Sequence, residues 1–166
     1  MVDTGWVRVF ADLENRFAVA QYEEIQAEAA EVALAEQGRV SWLTRITPGS
    51  ETTLVTGTQR ITGRVQRTAA SWILVSAREA DYLVPVSAVK TITGLLGPGS
   101  ELGKVQSKLS LGTVLRETMR FGGAIAVVDC SGGIWRGKLA WVGADHLDID
   151  SVTVPYAAID CVRLGR

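Results

Sequence analysis

Residues 144–150, with the sequence ADHLDID, contain side chains that could do chemistry. His146 is the only histidine of the chain, and Asp145, Asp148 and Asp150 place three carboxylates around it. Such a segment could bind a divalent cation, but the EF-hand calcium loop needs a glycine and a glutamate at positions where this segment has neither. In a strand His146, Asp148 and Asp150 would share one face, because successive side chains alternate. We therefore predict a solvated polar strand face, with a weak divalent-cation site as the alternative.

A single histidine also limits the possible catalytic machinery. Ser-His-Asp or Cys-His catalysis would depend on His146 alone, and a metal cluster built from several histidines is excluded. Cys130 and Cys161 have no CxxC spacing, which indicates free thiols rather than a zinc site or a disulfide framework. The glycine-rich residues 97–103 lack the spacing of a phosphate-binding loop and are typical of a linker. We predict no catalytic residue, no cofactor and no metal ion, and hence a protein that is not an enzyme.

Arg60, Arg64 and Arg67 form a candidate basic surface on one predicted strand. Arg60 and Arg64 would share its polar face, and the aromatic rings of Trp72 and Trp135 could stack on nucleic-acid bases. The chain as a whole is acidic, however, with a sequence pI of about 5.9. Nucleic-acid-binding domains are usually strongly basic. Nucleic acid is therefore a possible partner but not the favoured one.

The charge is divided unevenly along the chain. Residues 1–37 contain eight acidic and two basic residues, a net charge of −6, while the other 129 residues contain fifteen bases and ten acids, a net charge of +5. This division suggests that an acidic element packs on, or shields, a basic one.

The acidic segment has the pattern of a long helix. No proline occurs between residues 12 and 46, and Gly38 is the only glycine there. Thirty helical residues span about 45 Å. The helix therefore either breaks near Gly38 or projects and pairs, and we favour pairing with a second copy in a two-fold dimer. The predicted apolar stripe, interrupted by Glu36, consists of Ile25, Ala29, Val32, Val40 and Leu43.

The remaining chain contains an internal repeat. The sequence GRVQRTAASWILV at residues 63–75 aligns with GKLAWVGADHLDI at residues 137–149, and VPVSAV at 84–89 aligns with VPYAAI at 154–159. In each unit a helix end precedes short β-branched segments separated by turn residues. The repeat unit is therefore a helix followed by four or five strands.

Two glycines and two prolines mark corresponding points of these units. Gly63 and Gly137 lie inside otherwise good strands, where an isolated glycine indicates a bulge or bend. Pro85 and Pro155 are predicted at strand starts, because proline cannot donate to a sheet. Short, strongly bent strands of this kind are typical of small SH3-type barrels.

These patterns predict a mainly β chain with two tandem small Sm/SH3-like barrels after a long N-terminal helix. The predicted segments are an acidic helical segment at 1–46, a first barrel at 47–96, a linker and short helix at 97–121, and a second barrel at 122–166.

The pattern GIWRGKLAWVGADHLDI followed by VPYAAI resembles uncharacterised actinobacterial proteins with tandem Sm-like barrels, and more weakly PRC-type barrels. The resemblance covers residues 123–164 well and 52–95 moderately. It implies the barrel fold and binding to other macromolecules. The RNA pocket of Sm proteins is not implied, because no asparagine follows Asp145 and the last segment reads VPYAAI instead of carrying an Arg-Gly pair.

The sequence also bears on location and role. The N-terminal residues lack the apolar stretch of a signal peptide, and no apolar run approaches the roughly 18 residues of a membrane helix. We expect a cytoplasmic protein without membrane contact. The leading hypothesis is a non-catalytic binding or scaffold module that acts through protein contacts as a homo-oligomer, with a dimer favoured. The alternative is an Sm-like RNA- or DNA-binding protein.

Overall fold

The N-terminal helix, α1, spans Thr4–Gln37 in a computed structural model that describes residues 4–95, 97, 108–122 and 124–165, with side chains described from residue 15. Alanine and glutamate dominate its C-terminal half, and no proline interrupts it. Its bounds lie inside the predicted helical segment at 1–46. It ends at Gln37, before Gly38, whose N–H donates to the Leu34 carbonyl oxygen at 3.0 Å, so the helix breaks near Gly38, which was one of the two alternatives. No helix in the described part of the chain is long and apolar enough to cross a membrane.

The chain divides into two units, Met1–Val40 and Ser41–Arg166. The second unit opens with a 3-10 turn at Trp42–Arg45, where the Ser41 hydroxyl accepts a hydrogen bond from the Leu43 N–H. Residues 42–45 therefore do not continue α1, although the predicted helical segment at 1–46 included them.

The strands of the second unit are short and rich in β-branched residues, as strand propensity favours. Strands β1 to β5 form the first half-sheet: Glu51–Val55, Arg60–Thr68, Trp72–Ala77, Asp81–Pro85 and Thr91–Thr93. Helix α2, Leu111–Arg120, is capped by the Ser110 hydroxyl. Strands β6 to β10 form the second half-sheet: Ala124–Asp129, Ile134–Val142, His146–Ile149, Val152–Pro155 and Ile159–Leu164.

The ten strands of the described residues form one antiparallel sheet in the order β5-β1-β2-β3-β4-β10-β6-β7-β8-β9. Strand β10 joins the half-sheets by pairing with β4, and Val162 lies opposite Leu83. The prediction of a mainly β chain with a long N-terminal helix is confirmed. The two closed barrels are not confirmed, because this hydrogen-bonded order is open and runs from edge strand β5 to edge strand β9.

The half-sheets correspond at their proline turns. Pro85 and Pro155 each precede a 3-10 turn, at φ −60° and ψ 136° for the first and φ −61° and ψ 143° for the second. Both prolines end β4 and β9, so their predicted place at strand starts is wrong. The end position is equally compatible with proline, since the strand passes directly into the turn and needs no further ladder donor.

Two interlocked cores support the sheet. The core of the first half-sheet contains Leu54, Val65 and Ile73 but also Val128 and Cys161 of the second. The core of the second half-sheet lies under α2 and in turn includes residues of the first half: Ala69, Trp72 and Leu83. Because each core borrows side chains from the other half, the halves are expected to unfold together.

Candidate interaction surfaces

Helix α1 exposes every side chain that is described in it. Ile25 and Val32 are 58% and 54% exposed, and Tyr22 is exposed beside them. At 100° per residue, Ala18, Tyr22, Ile25, Ala29 and Val32 fall on one face about 80° wide. We call these five residues the α1 stripe.

The predicted stripe extended beyond the helix, and this part of the prediction is wrong. Leu43 lies in the 3-10 turn and is buried in the core of the first half-sheet. Val40 follows the helix end and is exposed. The stripe is therefore confined to α1, and Glu36 lies near its C-terminal end.

The predicted basic surface lies on β2, where Arg60, Arg64 and Arg67 are all exposed. Glu51 of β1 is the residue directly opposite Arg64, which places a carboxylate within the arginine group. Arg60, but neither Arg64 nor Arg67, lines a cleft of about 240 Å³, which Arg78 also lines. The three arginines therefore do not form one cleft.

A second pair of arginines lines one cleft near the junction of the half-sheets. Arg136 of β7 and Arg163 of β10 both lie opposite Ala126 of β6, one on each side. They line a cleft of about 350 Å³ that also contains Glu79. Sequence reasoning missed this pair, because only the β6–β7 and β6–β10 pairings bring residues so far apart in the chain together.

Asp160 links the half-sheets through a buried carboxylate. It is 2% exposed and accepts hydrogen bonds from the turn that connects β1 to β2. The donors are the Thr56 hydroxyl, the Gly57 N–H at 3.1 Å, and the Thr58 N–H and hydroxyl at 3.1 and 2.5 Å. A buried carboxylate is tolerated when it is fully hydrogen-bonded, as here.

The equivalent turn of the second half-sheet holds its own carboxylate. Asp129 accepts hydrogen bonds from the Ser131 hydroxyl, the Trp135 indole N–H at 2.9 Å and the Gly133 N–H at 2.9 Å. These bonds, that from Ser131 first, hold the pKa of Asp129 well below its usual range. The β1–β2 turn therefore binds Asp160 of the second half-sheet, whereas the equivalent β6–β7 turn binds Asp129 of its own half-sheet.

The polar strand face is present for His146 and Asp148, which are half-buried on β8 while Leu147 and Ile149 point into the core. Asp150 leaves this face, because it sits in the β8–β9 turn at φ 51°. Its carboxylate accepts a hydrogen bond from the Lys138 N–H at 3.2 Å.

No group of three or more His, Cys, Asp or Glu side chains in the described ranges is arranged to hold a metal ion. His146 Nδ1 lies 2.8 Å from the Asp145 carboxylate, and this hydrogen bond lowers the pKa of Asp145. Asp145 is exposed and His146 is half-buried.

Gly63 and Gly137 both lie inside long strands, β2 and β7. Each strand has a register irregularity just beyond its glycine, between Val65 and Arg67 and between Leu139 and Trp141. A Cβ at Gly63 would overlap the neighbouring strand and lie 2.9 Å from the Ala77 Cα. Close backbone approach therefore requires glycine at position 63.

A cavity of about 320 Å³ lies beside the start of α2, lined by Ser110, Arg116 and Tyr156 among others. The Tyr156 hydroxyl donates to the Gly143 carbonyl oxygen at 3.0 Å, and Arg116 donates to the same oxygen at 3.3 Å. Burial raises the pKa of Tyr156, although the charge of Arg116 partly opposes this. These groups are engaged with the backbone, which indicates a structural role.

Cys130 is exposed and Cys161 is buried, and both are free thiols. Burial, with a smaller contribution from the charge of Asp160, raises the pKa of Cys161 to about 12. A thiol with such a pKa is protonated at neutral pH and is a poor nucleophile.

No protein-family model matches the chain, and no curated protein matches it with significance.

Proposed function

We propose that this protein is a non-catalytic binding module that self-associates through α1. The observation that carries the proposal is the α1 stripe, an exposed apolar face on a 34-residue helix. Helices exposing like stripes can bury them against each other in a two-fold dimer. Ala18 and Ala29 would allow the two backbones to approach closely.

Glutamates flank this stripe and would set its specificity. At 100° per residue, Glu28 lies next to the stripe, about 80° from Ala18, and Glu24 and Glu31 lie farther round on the same side, at about 120° and 140°. Exposed ion pairs contribute only about 0–1 kcal/mol each. Apolar burial would therefore dominate the affinity, and the carboxylates would select orientation and partner.

The sheet unit would present two Sm-like, SH3-type modules joined edge to edge, with the first at 47–96 and the second at 122–166. The strand order β5-β1-β2-β3-β4 recurs as β10-β6-β7-β8-β9, which supports this assignment. The matching proline turns and strand irregularities support it as well.

The test changes the stripe in the full-length chain. Ile25→Glu/Val32→Glu places charges in the proposed helix contact and should convert the protein to monomer in sedimentation velocity. Leu34→Glu is the matched control, because Leu34 is 67% exposed on α1 but lies about 160° from Ala18 around the helix. An unchanged size for the double variant, or equal loss of association in both variants, would remove the stripe from the contact.

A second candidate function is nucleic-acid binding, which the cleft between Arg136 and Arg163 favours. Arginine pairs recognise phosphate groups through bidentate hydrogen bonds. Full-length protein should then bind single-stranded oligonucleotides with a steep salt dependence, and Arg136→Gln/Arg163→Gln should weaken binding while Arg67→Gln should not. Absence of binding at about 50 mM salt would reject this candidate.

A further inference from the structure

Trp72, Leu74 and Leu83 lie on the face of the first half-sheet that points away from its own core and into the core of the second. Trp72 lies opposite Pro85 and Leu74 opposite Leu83 in the pairing of β3 with β4. Trp72 and Leu83 are 2% and 0% exposed, because they pack in the core of the second half-sheet. The β4–β10 junction thus rests on an apolar face.

The same positions of the second half-sheet are polar. His146 lies opposite Pro155 and Asp148 opposite Thr153 in the pairing of β8 with β9. His146 therefore corresponds to Trp72, Asp148 to Leu74 and Thr153 to Leu83. Thr153 is exposed, and its hydroxyl donates to the Asp148 carboxylate at 2.7 Å. A hydrogen-bonded polar pair therefore replaces the buried leucine pair.

We infer that His146, Asp148 and Thr153 form a polar cap that stops edge strand β9 from pairing with a second copy of the chain. An edge strand offers unpaired backbone groups and is a template for another strand. In the geometry of the internal junction, β5 of a second copy would lie along β9 as β10 lies along β4. Covering the cap in this way would remove polar groups from water without supplying new partners.

The register of this excluded contact follows from the internal junction. Arg163 lies opposite Tyr82 there, and the corresponding residues are Thr93 of β5 and Val152 of β9. Proline at the end of β9 does not by itself prevent pairing, because β4 also ends in proline and still pairs with β10. The polarity of this face distinguishes β9 from β4.

The opposite edge is also unlike its counterpart. Asp160 and Cys161 of β10 are buried at the junction. The equivalent residues at the start of β5 are Lys90 and Thr91, and both are exposed. A second copy would bring Lys90 to the turn that Asp129 already occupies. An exposed pair of Lys90 and Asp129 would then stand where the internal junction has the buried Asp160 carboxylate and its four hydrogen-bond donors. The contact would therefore be weaker than the internal junction.

Terminal repeats of stacked proteins commonly carry such a polar outer face, which limits the assembly. The cap would confine the sheet to two half-sheets and leave self-association to other surfaces. This inference does not rest on the α1 contact, and it is tested in full-length protein that carries Ile25→Glu/Val32→Glu as well as in the unaltered chain.

The test restores the leucine pair with Asp148→Leu/Thr153→Leu. Burying two leucines should strengthen head-to-tail association by at least about a hundredfold, seen as larger species in sedimentation velocity. The matched control is Ser76→Leu/Asp81→Leu, which replaces another cross-strand hydroxyl–carboxylate pair, 2.6 Å apart on β3 and β4, away from edge strands β5 and β9. This control should keep the wild-type size.

A cysteine pair reports the register. Thr93→Cys/Val152→Cys, in a chain carrying Cys130→Ser, should form intermolecular disulfides only in the leucine background. Circular dichroism confirms folding, and Thr153→Leu alone replaces the double variant if that variant unfolds. Cross-linking in the chain with native Asp148 and Thr153 would overturn the inference, as would a folded leucine variant of unchanged size.

Discussion

Replacing Asp160 with alanine should destabilise the whole sheet unit rather than one half of it. The Asp160 carboxylate accepts four hydrogen bonds from the turn between β1 and β2, although it belongs to β10. Alanine would leave the Gly57 and Thr58 N–H groups without this acceptor, while the hydroxyls could rotate towards other partners. The cores on both sides share residues, so the loss should be felt across both half-sheets.

The expected magnitude follows from the two backbone donors and the lost charge-assisted bonds. Each buried donor left without a partner costs about 1–3 kcal/mol. Removing one partner of a buried charged group typically costs about 3–5 kcal/mol in total. Asp160→Ala should therefore lower the free energy of unfolding by about 3–5 kcal/mol, and Asp160→Asn by about half as much, since one acceptor oxygen remains.

Urea denaturation at pH 7, followed by tryptophan fluorescence and circular dichroism, measures this loss. The matched control is Asp148→Ala, which removes a half-exposed carboxylate with one hydrogen bond from Thr153 and should cost less than about 1 kcal/mol. Coincident transitions for both probes would show that the halves unfold together. A loss below about 1 kcal/mol for Asp160→Ala would refute the view that this carboxylate holds the halves together.

Three further predictions concern other positions. Gly63→Ala should cost about 2 kcal/mol or more in chemical denaturation, and Gly137→Ala less, because backbone atoms block the first position and mainly a carboxylate side chain blocks the second; equal costs would contradict this. Burial raises the pKa of Cys161 from 9.0 to about 12, so the thiol ionises at lower pH in the unfolded chain than in the folded one. The free energy of unfolding should therefore fall as the pH rises from about 9 towards 12, and Cys161→Ala should lack this fall. A thiol reagent should label only Cys130 in the native protein. The lowered pKa of Asp129 contributes stability above its ordinary pKa that is lost as pH falls, so Asp129→Asn should make acid unfolding less steep, and an unchanged acid profile would argue against it.

Local patterns in the sequence were sufficient for the elements. Alanine and glutamate without proline predicted α1, and Gly38 marked the position at which it could break. The repeated Val-Pro segments predicted equivalent elements in the two halves, and the structure shows two 3-10 turns preceded by prolines with nearly equal backbone angles. The alternation around Leu147 predicted the polar and core faces of β8. Each of these depends on side chains within a few positions of one another, so the sequence alone determines it.

Tertiary structure decided how the two halves meet. The β4–β10 pairing, the entry of Cys161 into the core of the first half-sheet and the capture of Asp160 by a turn about a hundred residues away all depend on long-range register. Sequence periodicity is the same whichever edge a strand pairs with, and so it could not distinguish one continuous open sheet from two closed barrels. The same reason explains why Arg136 and Arg163 were missed, since only the register across β6 brings them together.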